Sequence, residues 1–92
     1  MDDAQRKDIL VRLKSIEGHI RGIVRMVEEE QYCIDVIKQT IAVQRALDKV
    51  NALILDNHLK TCVTTAIRSE AASERERVLS ELLDVFETSN KL

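Results

Sequence analysis

YCIDVIKQTIAVQRALDKVNALILDNHLKTCVTTAIR, residues 32–68, contains neither glycine nor proline. Val36, Val43, Leu47, Val50 and Ile54 recur within it at helical spacing and share one face. The stretch predicts a single helix, which at the standard rise would extend about 55 Å. That is far longer than a small monomeric domain can cover, so the helix needs a partner.

Working outward, residues 4–29 predict a first helix. Ile9, Leu13, Ile16, Ile20, Ile23 and Val27 alternate steps of four and three, the seam of one helix packing on another. Gly18 and Gly22 lie within this pattern and predict a close helix–helix approach. The run Glu28-Glu29-Glu30 opposes a helix dipole at its C-terminal end and predicts a break near Gln31. Downstream, residues 69–73 mark a second break. Ser73 followed by Glu74 and Glu76 resembles a capping box that opens a third helix over about 73–88. Its apolar side is Val78, Leu79, Leu82, Leu83 and Phe86, and Asn90 to Leu92 are expected to fray.

Composition agrees with an all-α class. The 92 residues include no Pro, two Gly, one Tyr and one Phe, which suits helices rather than sheets. Hydrophobic residues make up 45% and charged residues 33%, which argues against disorder. With no internal repeat or linker, residues 1–92 form one domain, small enough that a second subunit would help bury its core. No stretch approaches the roughly 20 apolar residues of a membrane span, and MDDAQRKD has no secretory character. A cytoplasmic location is expected, where Cys33 and Cys62 stay reduced.

Cys33, His58 and Cys62 suit a soft metal. His58 and Cys62 are four residues apart and project from one side of a helix. Cys33, 25 residues before His58, falls within roughly 40° of them around the helix axis. Along a straight helix, however, it stands about 38 Å from His58, too far for one metal to bridge. Two copies of the helix packed antiparallel remove the difficulty. Cys33 of one copy then lies beside His58 and Cys62 of the other, with the two-fold axis near Ala46 and Leu47, and two equivalent sites result. Two thiolates and an imidazole make a three-coordinate set that Cu(I) accepts, whereas structural Zn(II) usually takes four ligands. On spacing alone, packing roles for these residues stand beside metal binding as the alternative.

RLKSIEGHIRGIVRMVEE (12–29), YCIDVIKQ (32–39), AVQRALDKV (42–50) and NHLKTCV (57–63) strongly resemble the copper-sensitive operon repressor family. The likeness covers about residues 9–86. It implies a three-helix protomer whose first two helices form an antiparallel four-helix bundle with a second protomer, dimers pairing into homotetramers. It also implies operator binding through a basic helical surface rather than a helix-turn-helix, and release of DNA when ligand reaches the thiol site. Copper members carry Cys, His and Cys, and this chain matches with Cys33, His58 and Cys62. Nickel and cobalt members have His in place of the last Cys and use an N-terminal His, but no His precedes His19 here. Formaldehyde members lack the last Cys, and persulfide members lack the His. The resemblance also implies outer groups around the ligands: Tyr32 beside the first Cys, and Glu81 in the third helix. Either could hold the second ring nitrogen of His58 and fix its tautomer. Their ordinary alternatives are a packing Tyr and a solvated Glu.

The net charge of −2 hides an uneven distribution. Arg6, Lys7, Arg12, Lys14, Arg21 and Arg25 face only Asp8 and Glu17 over the same stretch. Lys7, Lys14, Arg21 and Arg25 share a face of the first helix, and Lys38, Arg45 and Lys49 a face of the second. Such rows can engage phosphates, though most are solvated helix faces. By resemblance Arg12 is the foremost DNA contact, with Lys14, Arg21, Arg25, Arg45 and Lys49 behind it. His19 is given no function.

The function expected is a Cu(I)-responsive repressor that derepresses copper resistance genes. A persulfide or electrophile sensor linking Cys33 to Cys62, and a copper buffer or metallochaperone without a DNA role, are the rivals. An enzyme is not expected, because there is no Gly-rich phosphate loop and no nucleophile–base pair apart from the thiol site.

Overall fold

The computed structural model describes residues 1–89, and every regular element among them is helical. The order is α1 (Asp3–Glu28), α2 (Cys33–His58), a π-helical turn (Leu59–Val63), α3 (Thr64–Arg68) and α4 (Ala72–Ser89). The all-α class is the one observed; the expected fraying of Asn90 to Leu92 lies outside the described residues. The chain divides into two compact units, Met1–Asp56 and Asn57–Leu92.

In the first unit, α1 opens on a capping box absent from the sequence reading. The Gln5 amide donates to Asp2 Oδ1 at 2.8 Å, and the Asp2 amide donates to Gln5 Oε1 at 3.0 Å. Two orphan amides of the first turn are thereby satisfied. The helix ends within the acidic run, as expected, but a backbone motif explains how. The Glu30 amide donates to the Val27 carbonyl and the Gln31 amide to the Met26 carbonyl, both at 3.0 Å. This Schellman arrangement requires a left-handed residue, and Glu30 supplies it at φ 55°. A residue with a Cβ bears a cost of about 1 kcal/mol there.

The core of this unit joins Ile9 and Ile16 of α1 to Val43 and Val50 of α2, with Leu13, Ile23, Ala46 and Leu53 packed around them. A single protomer buries only part of each expected seam. Ile20 and Val27 of α1 are 45% and 59% exposed. On α2, Leu47 and Ile54 are each 38% exposed. The reason is angular: the inward row is Val43, Ala46, Val50 and Leu53, at steps of three and four, and Leu47 and Ile54 sit one residue past it, about 100° further round. The close approach expected at the glycines is likewise missing within the protomer. A Cβ on Gly18 or Gly22 would meet only the guanidinium of Arg21 or Arg25, at 3.6 and 4.0 Å.

The second unit corrects the expectation of an unbroken helix over residues 32–68. Helical winding continues past His58, but the α pattern gives way to the wider π turn for five residues. The cause lies in the hydroxyls. Thr61 Oγ1 donates to the Asn57 carbonyl at 2.8 Å, Thr64 Oγ1 to the Leu59 carbonyl at 2.6 Å, and Thr65 Oγ1 to the Thr61 carbonyl at 2.8 Å. Side chains that return to the carbonyls compete with the backbone ladder and bend it. The β-branched Val63, Thr64 and Thr65 add crowding.

Beyond α3, Ser69 makes the turn. Its hydroxyl accepts the Ala71 amide at 3.2 Å, and its carbonyl receives the Arg75 guanidinium. The Glu74 amide already donates to the Ala71 carbonyl, so α4 starts at Ala72 and Ser73 lies inside it rather than capping it. Val63, Ala66 and Val78, with Leu82 against them, form the small core of this unit.

Candidate metal centre

Each of the three candidate ligands occupies a defined place. Cys33 is the first residue of α2, following Tyr32, whose carbonyl accepts the amides of Asp35 and Val36 at 3.0 and 3.2 Å. Tyr32 therefore starts the helix through its backbone, while its ring is 69% exposed. Cys33 is a free, exposed thiol. His58 is the last residue of α2 and is half-buried, next to the buried Asn57. Cys62 lies within the π turn, also free and exposed. Fewer degrees per residue in this wider turn bring positions 58 and 62 closer to eclipse than an α-helix would. The Thr61 hydroxyl, whose proton goes to the Asn57 carbonyl, sits 3.6 Å from the Cys62 sulfur.

Cys62 opens on a shallow cleft of about 480 Å³ lined by Thr61, Thr65, Ala66, Ser69, Glu74 and Arg77. Arg77 organises its wall. Its guanidinium reaches Glu74 at 3.0 Å, one turn back, and Glu81 at 2.6 Å, one turn ahead. The hydrogen bond and charge of Arg77 hold the Glu74 carboxyl below the usual carboxylate range. The same two carboxylates raise Arg77 above its ordinary value, Glu74 contributing first. Arg77 and Glu74 were missed in the sequence reading, although Glu74, Arg77 and Glu81 at steps of three and four are the spacing of a charged row on one helix face. Thr61, Thr65 and Ser69 gave no such signal, because only the π turn and the following bend bring them to one cleft.

Among the described residues, no three His, Cys, Asp or Glu side chains of a single protomer group tightly enough to hold a metal. Glu81 engages Arg77. The donor types themselves, two thiols and an imidazole, fit a soft ion of low coordination number.

The basic residues singled out as candidate DNA contacts belong to the first unit. Lys14, Arg21, Arg25, Arg45 and Lys49 are exposed, and Arg12 is half-buried. Arg12 donates to Asp8 at 3.2 Å, and Arg21 lies 4.0 Å from Glu17. Exposed pairs of this kind are weak and exchange readily for another anion. His19 has a structural contact: its Nε2 lies 2.7 Å from Gln39 Oε1, joining α1 to α2.

The family model of metal-sensitive transcriptional repressors matches residues 5–88. The chain belongs to that family. Among relatives, this metal-sensitive repressor is 44% identical over 87 residues to the copper-sensing transcriptional repressor CsoR of Bacillus subtilis, spanning 95% of this chain and 83% of that one. It is 43% identical over 81 residues to the copper-sensing repressor CsoR of Mycobacterium tuberculosis, and the match covers 88% of this chain. The chain spans only 66% of the length of that mycobacterial relative. Its fold is similar to the crystal structure of the copper-sensing repressor CsoR with Cu(I) from Geobacillus thermodenitrificans. The TM-score there is 0.87 at 40% identity, covering 99% of this repressor and 92% of the other. No helix among its described residues is long and apolar enough to cross a membrane.

Proposed function

We propose that this chain is a Cu(I)-responsive repressor that holds operator DNA when metal-free and releases it when copper binds. The observation that carries the reading is the placement of two free, exposed thiols and an imidazole at the two ends of the α2 and π-turn stretch. Along α2 alone Cys33 and His58 stand at opposite ends, about 38 Å apart at the standard helical rise, so the donor set becomes complete only between copies. Cys33 of one protomer and the partner subunit's His58 and Cys62 are the ligands, in an antiparallel four-helix bundle that pairs into a homotetramer. Tyr32 and Glu81 are the outer groups that orient the His58 ring. Similarity to proteins named as copper sensors, one of them solved with Cu(I), supports this choice of ion.

Residues 1–92 act as one functional domain, working by binding rather than turnover, in the cytoplasm. Arg12 leads the DNA contacts, with Lys14, Arg21, Arg25, Arg45 and Lys49 supplying phosphate attraction. Ligation at the thiols shifts helix packing to a state whose basic surface fits DNA poorly, which frees copper resistance genes for transcription. Linkage then requires bound DNA to weaken copper affinity by the same factor.

An operator titration with and without Cu(I) tests the reading, and equal affinities would refute it. A copper buffer would bind the metal without operator selectivity in the same experiment. The exposure of both thiols also favours a second reading, a persulfide or electrophile sensor that joins Cys33 to Cys62. Mass spectrometry after persulfide treatment separates that covalent link from reversible copper binding.

A further inference from the structure

The wall of the Cys62 cleft carries a cation already. Arg77 lines the cleft and is held by two carboxylates, Glu74 on one side and Glu81 on the other. All three side chains are about half exposed, and all three lie on α4. The triad therefore ties no element to another, and exchanging one of its partners disturbs no packing. Glu74 and Arg77 both line the cleft, and Glu81 is tied to it through the Arg77 guanidinium. A positive ion arriving at Cys62 therefore meets a wall whose carboxylates are both engaged by one cation.

We propose that Arg77 is a positioning residue, a latch that holds Glu81 away from the thiol site in the metal-free protein and so sets how much copper is needed to switch it. This rests on the reading of His58, Cys62 and Glu81 given above. Glu81 has two partners available: the Arg77 guanidinium, which it engages here, and the ring N–H of His58 once His58 is a ligand. A carboxylate oxygen that accepts from one cannot hold the same geometry toward the other. Copper binding thus exchanges one charge-assisted hydrogen bond for another, with no change in covalent bonding. Glu74 tunes the exchange, because it shares the guanidinium and loosens its grip on Glu81.

The proposal makes two variants act in opposite directions. Arg77→Met removes the competing cation and is expected to tighten Cu(I) binding by about two- to five-fold, the range of an exposed ion pair. Glu74→Gln leaves the guanidinium to Glu81 alone and is expected to weaken Cu(I) binding by up to about two-fold. Arg77→Lys keeps the charge and should stay near wild type. Both shifts should shrink between about 0.05 and 0.5 M salt, as surface charges are screened. The measurement is chelator competition for Cu(I) on the full-length chain, with operator release followed on the same samples and helicity checked by circular dichroism.

The through-space field of Arg77 alone would give the same signs, so the deciding variant is Arg77→Met in a Glu81→Gln background: the latch predicts that the tightening disappears there, whereas a field effect keeps it. Changes of like sign, or no change in either variant, overturn the latch. Failure of wild-type protein to release operator with Cu(I) overturns the functional reading instead, so the two failures are separable.

Discussion

The two units are built from the same kind of helix and differ in how regular it is. In the first, α1 and α2 run 26 residues each, and steps of three and four bury Ile9, Ile16, Val43 and Val50. In the second, the winding changes twice within about a dozen residues, through the π turn and the bend at Ser69, and the core shrinks to Val63, Ala66 and Val78 with Leu82. The regular unit carries the basic rows; the irregular one carries His58, Cys62 and the cleft. Regular helices give a row of charges a uniform pitch along phosphates. A site that must gather a thiol, hydroxyls and a guanidinium from different turns needs the ladder broken.

The sharpest way to test this division is at Cys62. Cys62→Ser should lower Cu(I) affinity by more than about a hundred-fold, since even partners outside the ligand set cost ten- to a hundred-fold. Because the thiol is exposed, urea unfolding should stay within about 0.5 kcal/mol of wild type. A large loss of stability would show that the side chain serves packing instead. Next come the two cores. Val50 and Val63 are each 3% exposed, in the larger and smaller cluster respectively. Val50→Ala should cost about 2 kcal/mol and Val63→Ala about 1 kcal/mol, because the smaller cluster collapses more easily around a lost side chain. Equal costs in chemical denaturation would erase the energetic contrast between the units.

A smaller effect, of opposite sign, is expected where the first unit is strained. Glu30→Gly relieves the left-handed position and should raise stability by about 0.5–1 kcal/mol, read as a higher denaturation midpoint. The least is at Glu74. Its carboxyl is held below the usual range in the folded chain, so this contribution is complete above the ordinary carboxylate value. It is lost as pH falls through the lowered one. Carboxyl NMR titration should show that low midpoint, and Arg77→Met should return it toward the ordinary value.

What was legible in the sequence follows the same division. The sequence places both ends of α1 and the start of α2 to within a residue, because helical repeats write themselves directly into spacing, but it runs α2 on to residue 68, ten past its end at His58. Leu47 and Ile54 lie one step outside the stripe that a single protomer buries, on the apolar face that the sequence assigns to a partner helix. The capping box at Asp2 and Gln5 is readable from their three-residue spacing, and the break expected over 69–73 holds the turn that Ser69 makes, with Ala71 rather than Ser73 preceding α4. The π turn was hardest. Its cause is three hydroxyl hydrogen bonds, and a threonine says nothing of whether its hydroxyl turns to solvent or back to a carbonyl. The candidate ligands Cys33, His58 and Cys62 are legible from residue type and spacing; the cleft beside Cys62 is not, because its walls come from separate turns of the chain.

The π turn also preserves a phase. A turn closed by i→i+5 hydrogen bonds is an α turn with one residue to spare, so deleting a single residue between 59 and 63 would let the ordinary ladder close up. Five residues at roughly 85° each and four at the α-helical 100° both come to a little over one revolution, so everything after it would turn by only about 25° relative to His58. Val63 and Ala66 now turn toward Val78, and after such a deletion that buried row would keep nearly its present bearing to the imidazole. The wide turn thus absorbs a surplus residue as slack, leaving the compass heading of the small core almost where an unbroken ladder would set it.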